Sequence, residues 1–286
     1  MNIAIIGATG LLGKPVTQQL IDAGFTVTIL ARHPEQAQAL FPNTRVVKAD
    51  LRDPASLAAG LQNQDALYLS LSVLQGEKQS EFHTETNGLD NLLPAAQRAG
   101  IRRIGYLSSI VMRYQGMNGF RWWVFDVKHE AVRRLKASGI PHLIFYPSTF
   151  METFFLQLQG NRLALAGSSE VRLWMIAGRD YGRQVAAAFQ KISLGESREY
   201  VVQGPEAHTL EAGARLFAKH YQKQKLSVLK APLTLLKIIG LASRKVNYGA
   251  HILEALHQYP ERFEAATTWA ELGSPITTVP EFARTA

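Results

Sequence analysis

Residues 2–14 read NIAIIGATGLLGK, a short apolar run that breaks into three glycines, Gly7, Gly10 and Gly13. The apolar run suits a strand buried on both faces, and the glycines permit a turn that side chains would block. Helix-forming residues follow through Leu20, so the turn lies between a strand and a helix N-terminus. Free backbone N–H groups and the positive end of the helix dipole make that place attractive to a phosphate or pyrophosphate. The Gly13-Lys14 pair raises the alternative of a phosphate-binding P-loop. That motif needs a glycine five residues before its Gly-Lys and a Ser or Thr after it. Ala8 and Pro15 stand there, which removes the kinase or ATPase reading. Pro15 is tolerable because the first helical turn has no internal partner for its N–H.

The pattern then repeats. Strands are expected at Asn2–Ile6, Thr26–Leu30, Thr44–Val47, Ala66–Leu71, Arg103–Leu107 and His142–Phe145, separated by helical patterns near Leu11–Ala23, Pro34–Leu40, Pro54–Leu61, Ser80–Ala99 and Phe120–Ala137. Apolar strands alternating with amphipathic helices call for a parallel sheet covered on both faces, with right-handed crossovers. Gly24, Gly100 and Gly139 each follow a helical pattern, where a left-handed cap is commonly needed. The expectation is an α/β, Rossmann-type doubly wound sheet over residues 1–150, with the ligand crevice at the carboxyl ends of its strands. Residues 151–286 are expected to form a smaller substrate-side lobe packed closely on it. In that half, Phe150–Leu158 and Gly182–Ile192 read as helices and Glu199–Gln203 as a strand. His208–Gln222 reads as a helix with Thr209 as its N-cap.

Composition narrows the chemistry. With 47% apolar and 19% charged residues the chain is globular, and 286 residues suffice for a large core. There is no cysteine, which excludes disulfides, thiolate nucleophiles and cysteine-ligated metals. The eight histidines show no metal-ligand spacing, so no metal is expected. His129-Glu130 begins a zinc-protease-like pattern that Arg133 breaks, and no G-x-S-x-G elbow is present. No signal-type or membrane-spanning stretch is visible, so a cytoplasmic protein is expected. The net charge of +8 is concentrated: Ala212–Leu253 holds eight Lys or Arg and no Asp or Glu. Residues 223–245 combine these cations with aliphatic side chains. They read either as a surface for a membrane or a protein partner, or as a partly buried helix with a solvated basic edge. No nucleic acid is expected as a partner.

Individual residues at the strand ends carry the cofactor reading. An acidic side chain after the second strand would favour NAD, and a basic one NADP. Arg32 stands there, a planar, permanently charged fork suited to phosphate, unless it is simply solvated. Asp50, after the third strand, can accept from an adenine amino group, whereas Asp53 before Pro54 is a helix cap.

GATGLLG, Arg32, Asp50-Leu51, LSLS at 69–72 and YLSSI at 106–110 resemble the atypical short-chain dehydrogenase/reductases, particularly their NmrA-like or isoflavone-reductase-like branch. The run KHEAVRRLKASGIPHLIFYPSTFMETFF, residues 128–155, is similar to that branch's helix, strand and Pro-containing turn. The resemblance covers about the first 155 residues well and the rest loosely. It implies an NADP(H) site formed by Gly7, Thr9, Gly10, Leu11, Leu12, Gly13, Arg32, His33, Asp50, Leu51, Leu71, Ser108, Lys128, Tyr146, Pro147 and Phe150. Most short-chain dehydrogenases use a Tyr-x-x-x-Lys pair. Here Lys128 matches the lysine, but Val124 occupies the tyrosine position. The resemblance therefore gives Lys128 the nicotinamide ribose and a share in proton transfer. Ser108 or Ser109 would orient a substrate carbonyl, or would only bond the turn. Tyr146 is the candidate to replace the missing phenol.

Two functions are compatible with these residues. One is an NADPH-dependent oxidoreductase acting on a small apolar carbonyl, enone or quinone. The other is a non-catalytic NADP(H)-binding sensor or assembly protein, which the loss of the tyrosine would allow.

Overall fold

A computed structural model describes all residues, Met1–Ala286. Its first half is β1 (Asn2–Ile6), α1 (Gly13–Asp22), β2 (Thr26–Ala31), α2 (Pro34–Leu40), β3 (Arg45–Lys48), α3 (Pro54–Gly60), β4 (Ala66–Leu69), α4 (Asn87–Arg98), β5 (Arg103–Leu107), α5 (Trp123–Ala137) and β6 (His142–Pro147). The second half supplies α6 (Thr153–Leu156), β7 (Leu158–Gln159), β8 (Arg162–Ala166), α7 (Gly178–Lys191), β9 (Arg198–Val202), α8 (Leu210–His220), β10 (Ser227–Ala231), α9 (Leu233–Gly240), α10 (Arg244–Gln258), α11 (Ala266–Leu272) and α12 (Val279–Thr285).

Seven strands form one sheet in the order β3-β2-β1-β4-β5-β6-β9, and every pairing is parallel. Alternation along β1 shows why: Ile3 and Ile5 enter the core layer beneath α1 and α7, while Ala4 and Ile6 enter the layer beneath α3, α4 and α5. A strand with both faces covered must be apolar throughout, as this one is. The order reverses beside β1, between β1 and β4, which opens the crevice at their carboxyl ends.

β9 and α7 belong to the main layers although they lie late in the chain, because β9 pairs with β6 and α7 packs on α1. Arg103 on β5 is fully buried there, and its guanidinium donates to the carbonyls of Ile192 (2.8 Å) and Ser193, just beyond the end of α7. A buried cation on carbonyls at a helix C-terminus satisfies both the charge and the orphaned acceptors. A third core, with Phe154, Leu163, Phe217 and Phe282, joins α6, β8, α8 and α12 beside the sheet. There β10, β8 and β7 make a separate three-stranded sheet.

Several boundaries differ from the sequence expectations. The helix expected over Ser80–Ala99 starts only at Asn87, and residues 80–86 form a loop that folds back over β4 and β5. Phe150–Leu158 is helical only at Thr153–Leu156, since Phe150 instead bridges to Ile176 in extended conformation. The Gly182–Ile192 helix begins four residues earlier, at Gly178. β7, β8, β10 and the helices α10, α11 and α12 were not expected from periodicity; the strands are short and their partners distant in sequence. Thr209 caps α8 as expected, accepting from the N–H of Ala212 at 3.1 Å. The helix expected within residues 223–245 is α9, in which Gly240 is buried, Leu233 and Leu236 are half-buried and Lys237 is exposed.

Candidate functional site

The glycine turn is built by three different physical demands. Gly7 has φ +88°, and a Cβ there would collide with the Ser70 carbonyl at the end of β4. Gly13 opens α1 against the turn itself, so a Cβ would strike the Gly7 carbonyl. Gly10 differs, because a Cβ would make only an ordinary contact 3.4 Å from the Gly7 oxygen. The protein's own packing does not require glycine at residue 10, whereas a pyrophosphate lying against its backbone would. α1 has no side-chain cap. No backbone carbonyl within the chain accepts from the N–H groups of Leu11 and Leu12. These orphaned donors at the positive end of a ten-residue helix fit an anionic ligand. Thr9, Gly10 and Leu11 are exposed along the same turn.

Arg32 is exposed at the end of β2 and makes no ion pair or hydrogen bond within the chain, so its fork is free to meet a phosphate. His33 beside it is exposed and lies 3.7 Å from Glu35. The Asp50 carboxylate accepts from the Arg52 N–H at 2.9 Å. Leu51 is buried, and its carbonyl accepts from Asn91.

The far side of the crevice centres on Lys128. Its ammonium donates to Glu85 Oε1 at 2.6 Å and to the Leu71 carbonyl at 3.2 Å. Tyr106 also donates to Glu85 Oε1, at 2.5 Å. Glu85 is fully buried and its Oε2 has no partner within the chain, leaving one acceptor in reserve. Burial, reinforced by this carboxylate, holds the Tyr106 phenol well above the usual range, so Tyr106 stays a donor. Lys128 and Leu71 therefore come together as expected of neighbouring site residues. Glu85 and Tyr106 were missed by sequence reasoning. Glu85 lay in a presumed helix, and a single acidic residue in a polar stretch gives no signal of burial.

Val124 is buried one helical turn before Lys128. It borders a cavity of about 460 Å³ between the start of α5, the loop after β4 and the α9–α10 junction. Trp122, Trp123, Tyr248 and Arg244 also line it. Tyr248, on α10, packs edge-on to Trp122 at 4.9 Å. Burial, then the negative charge of Glu85, pushes its phenol up to about 12. Nothing in the sequence around Tyr248 marked it, because its proximity to Val124 is purely tertiary.

Tyr146 sits differently. It is buried on β6, and its hydroxyl donates to Glu199 Oε2 at 2.7 Å, beside the Lys136–Glu199 ion pair. Arg113 lies over its ring at 5.6 Å. Ser108 is buried with its hydroxyl on the Met112 sulfur at 3.4 Å. Ser109 is half-exposed and heads a short 3-10 turn with no hydrogen bond to its side chain. Pro147 is buried at the end of β6. Phe150 is buried edge-on to Tyr181 at 5.2 Å.

A doubly wound parallel sheet, a glycine turn feeding an uncapped helix and a lysine aimed at the strand ends define a dinucleotide-binding protein. A family model described as NAD(P)H-binding matches residues 7–187, more than half of the chain, and the chain belongs to that family. Among relatives, it is 29% identical over 268 residues to a (4-alkanoyl-5-oxo-2,5-dihydrofuran-3-yl)methyl phosphate reductase of Streptomyces griseus, covering 91% of this chain and 86% of that one. It is also 29% identical to the photosystem II assembly factor Ycf39 of Synechocystis, but over 53% of this chain and 46% of that protein. The Escherichia coli NADPH-dependent quinone oxidoreductase QOR2, solved with NADPH, superposes with a TM-score of 0.75 at 24% identity, covering 98% of each chain. The triphenylmethane reductase of Citrobacter, solved with NADP(H), gives 0.74 at 17% identity over all of both chains. At these identities the two structures show a shared fold.

Proposed function

We propose that this protein is an NADPH-dependent reductase of a small, flat, apolar carbonyl, enone or quinone. The observation that carries this reading is the cavity beside Val124, where Trp122, Trp123 and Tyr248 face polar groups such as Glu77, Lys78 and Asn247, and which adjoins the helix bearing Lys128. The likeness to a reductase, 29% identical over 91% of this chain, supports it better than the likenesses to assembly factors, which are 29% identical over about half of the chain or 22% identical over 90% of it.

Reduced NADP supplies the hydride when bound. The Leu11 and Leu12 N–H groups and α1 hold its pyrophosphate, and Gly10 leaves room for it. Arg32 pairs with the phosphate that distinguishes NADP from NAD. Lys128, held in place by Glu85, would hold the ribose next to the nicotinamide. Ser109 orients the acceptor's carbonyl oxygen. The proton comes from Tyr248 rather than Tyr146, since Tyr248 lines the cavity and Tyr146 is committed to Glu199. Burial and Glu85 keep the Tyr248 phenol protonated at neutral pH, so its case as the donor rests on its place in the cavity and not on its acidity.

Steady-state oxidation of NADPH by a panel of soluble quinones and enones tests the reading. Acceptor-dependent turnover is expected. Tyr248→Phe should lower kcat about 10- to 100-fold while leaving KM for NADPH unchanged. Tight NADPH binding with no turnover by any acceptor would favour the sensor.

A further inference from the structure

One face of α9 is uncovered, while Leu233 and Leu236 on its other side are half-buried. Ile238 is 65% exposed, Leu235 and Ile239 46% each, and Leu241, just past the helix, 88%. Leu235, Ile238 and Ile239 stand at i, i+3 and i+4, so they share one face. Leu229, on the adjoining strand β10, is 51% exposed. Scattered exposed leucines need no explanation, but a contiguous aliphatic face with a rim of charge marks an interaction surface.

The charge decides what it meets. The segment Ala212–Leu253, which includes this face, contains no carboxylate, and Glu77 lies across the cavity from it. Lys237 is paired with Glu254, and Lys230 and Arg215 share Glu211. Lys219, Lys223, Lys225, Arg244 and Lys245 have no carboxylate partner. A second copy of the same face would bring these cations together, so self-association is opposed. Protein interfaces favour aromatic residues and exclude lysine. This face has only Leu and Ile with lysine around them, the composition of a helix lying in the headgroup region of an anionic bilayer. No helix of the chain is long and apolar enough to cross a membrane, so the contact is peripheral.

We infer that α9 docks the protein on an anionic lipid surface. Leu241, which continues that face, also lines the cavity beside Val124, together with Arg244. If the reductase reading holds, docking opens the cavity toward the bilayer, and the preferred acceptor is one dissolved in lipid.

The test is flotation of the full chain with vesicles of phosphatidylglycerol and phosphatidylcholine, against pure phosphatidylcholine. Binding to the anionic vesicles alone, reversed by high salt, is expected. Leu235→Ser with Ile238→Ser should weaken it at least ten-fold, with NADPH oxidation by a water-soluble quinone unchanged and the melting temperature retained. Absence of binding to anionic vesicles overturns the proposal, as does a dimer that these substitutions convert to a monomer. Saturable, salt-sensitive capture of a soluble acidic protein without vesicle binding would equally overturn it. Because flotation needs no turnover, vesicle binding by an inactive protein would sink the reductase reading and leave this one standing.

Discussion

Two apolar runs in this chain look alike as strings and end in opposite places. NIAII becomes β1, with Ile3 and Ile5 completely buried in the middle of the sheet. LTLLKIIG becomes α9, where the isoleucines are among the most exposed large side chains of the molecule. The residues just after each run make the difference. β1 leads into glycines whose backbone demands are met only by neighbouring strands and a helix, so the turn dictates the packing around it. α9 leads into Ser243 and Arg244, a cap and a cation, and nothing there calls for a covering layer. Apolar composition reports a preference for leaving water; burial within the chain also needs a partner of the same chain.

The sharpest way to break this comparison is inside the glycine turn. Gly7→Ala and Gly13→Ala should each cost about 3 kcal/mol or more, read as a fall in the denaturation midpoint, because a Cβ at either would strike backbone that cannot relax and Gly7 also has a positive φ. Gly10→Ala should leave that midpoint within about 0.5 kcal/mol yet weaken NADPH about ten-fold by titration calorimetry. Equal stability losses at all three positions would mean that residue 10 is also structural.

Lys128→Met comes next. It leaves Glu85 buried beside a single donor, so stability should fall by about 2–4 kcal/mol and turnover by about 100-fold or more. Adding Glu85→Gln to Lys128→Met should recover much of the stability and none of the turnover. Recovery of both would refute a direct role for the lysine.

Arg32→Ala should weaken NADPH by about 10- to 100-fold and NADH hardly at all, since the free fork has no structural partner to lose. A smaller effect is expected at Glu152. Burial raises its carboxyl from 4.5 to about 7. The folded state therefore binds this proton more tightly than the unfolded state. No penalty exists below about pH 4.5; it grows as pH rises to about 7 and then levels off. Stability should fall by on the order of 1–2 kcal/mol from about pH 5 to about pH 8, and Glu152→Gln should flatten that slope. Smallest of all, Ile238→Ser should change stability by less than about 0.5 kcal/mol, against about 3 for Ile5→Ser.

The same contrast explains what the sequence could convey. The alternation of strands and helices and the cofactor turn were legible because they rest on local patterns: apolar runs between helical periods, a glycine spacing, Arg32 at a strand end. The Glu85–Tyr106–Lys128 cluster and the approach of Tyr248 to Val124 were not. Each joins residues 21 or more positions apart through side-chain packing, which leaves no local period. The loop at residues 80–86 misled for a related reason: polar residues before α4 fit a helix as well as a loop. Val124 was legible as a missing tyrosine, but the phenol in its neighbourhood comes from a helix more than a hundred residues away.

The central claim is that the crevice binds NADPH and passes its hydride to an acceptor in the adjoining cavity. Acceptor-dependent oxidation of NADPH, compared between the native protein and Val124→Trp, tests it most directly. A bulky ring at residue 124 fills the cavity without touching the glycine turn. The account predicts that NADPH binds with unchanged affinity while turnover falls at least ten-fold. Turnover undiminished by the ring would place the reaction elsewhere and contradict it.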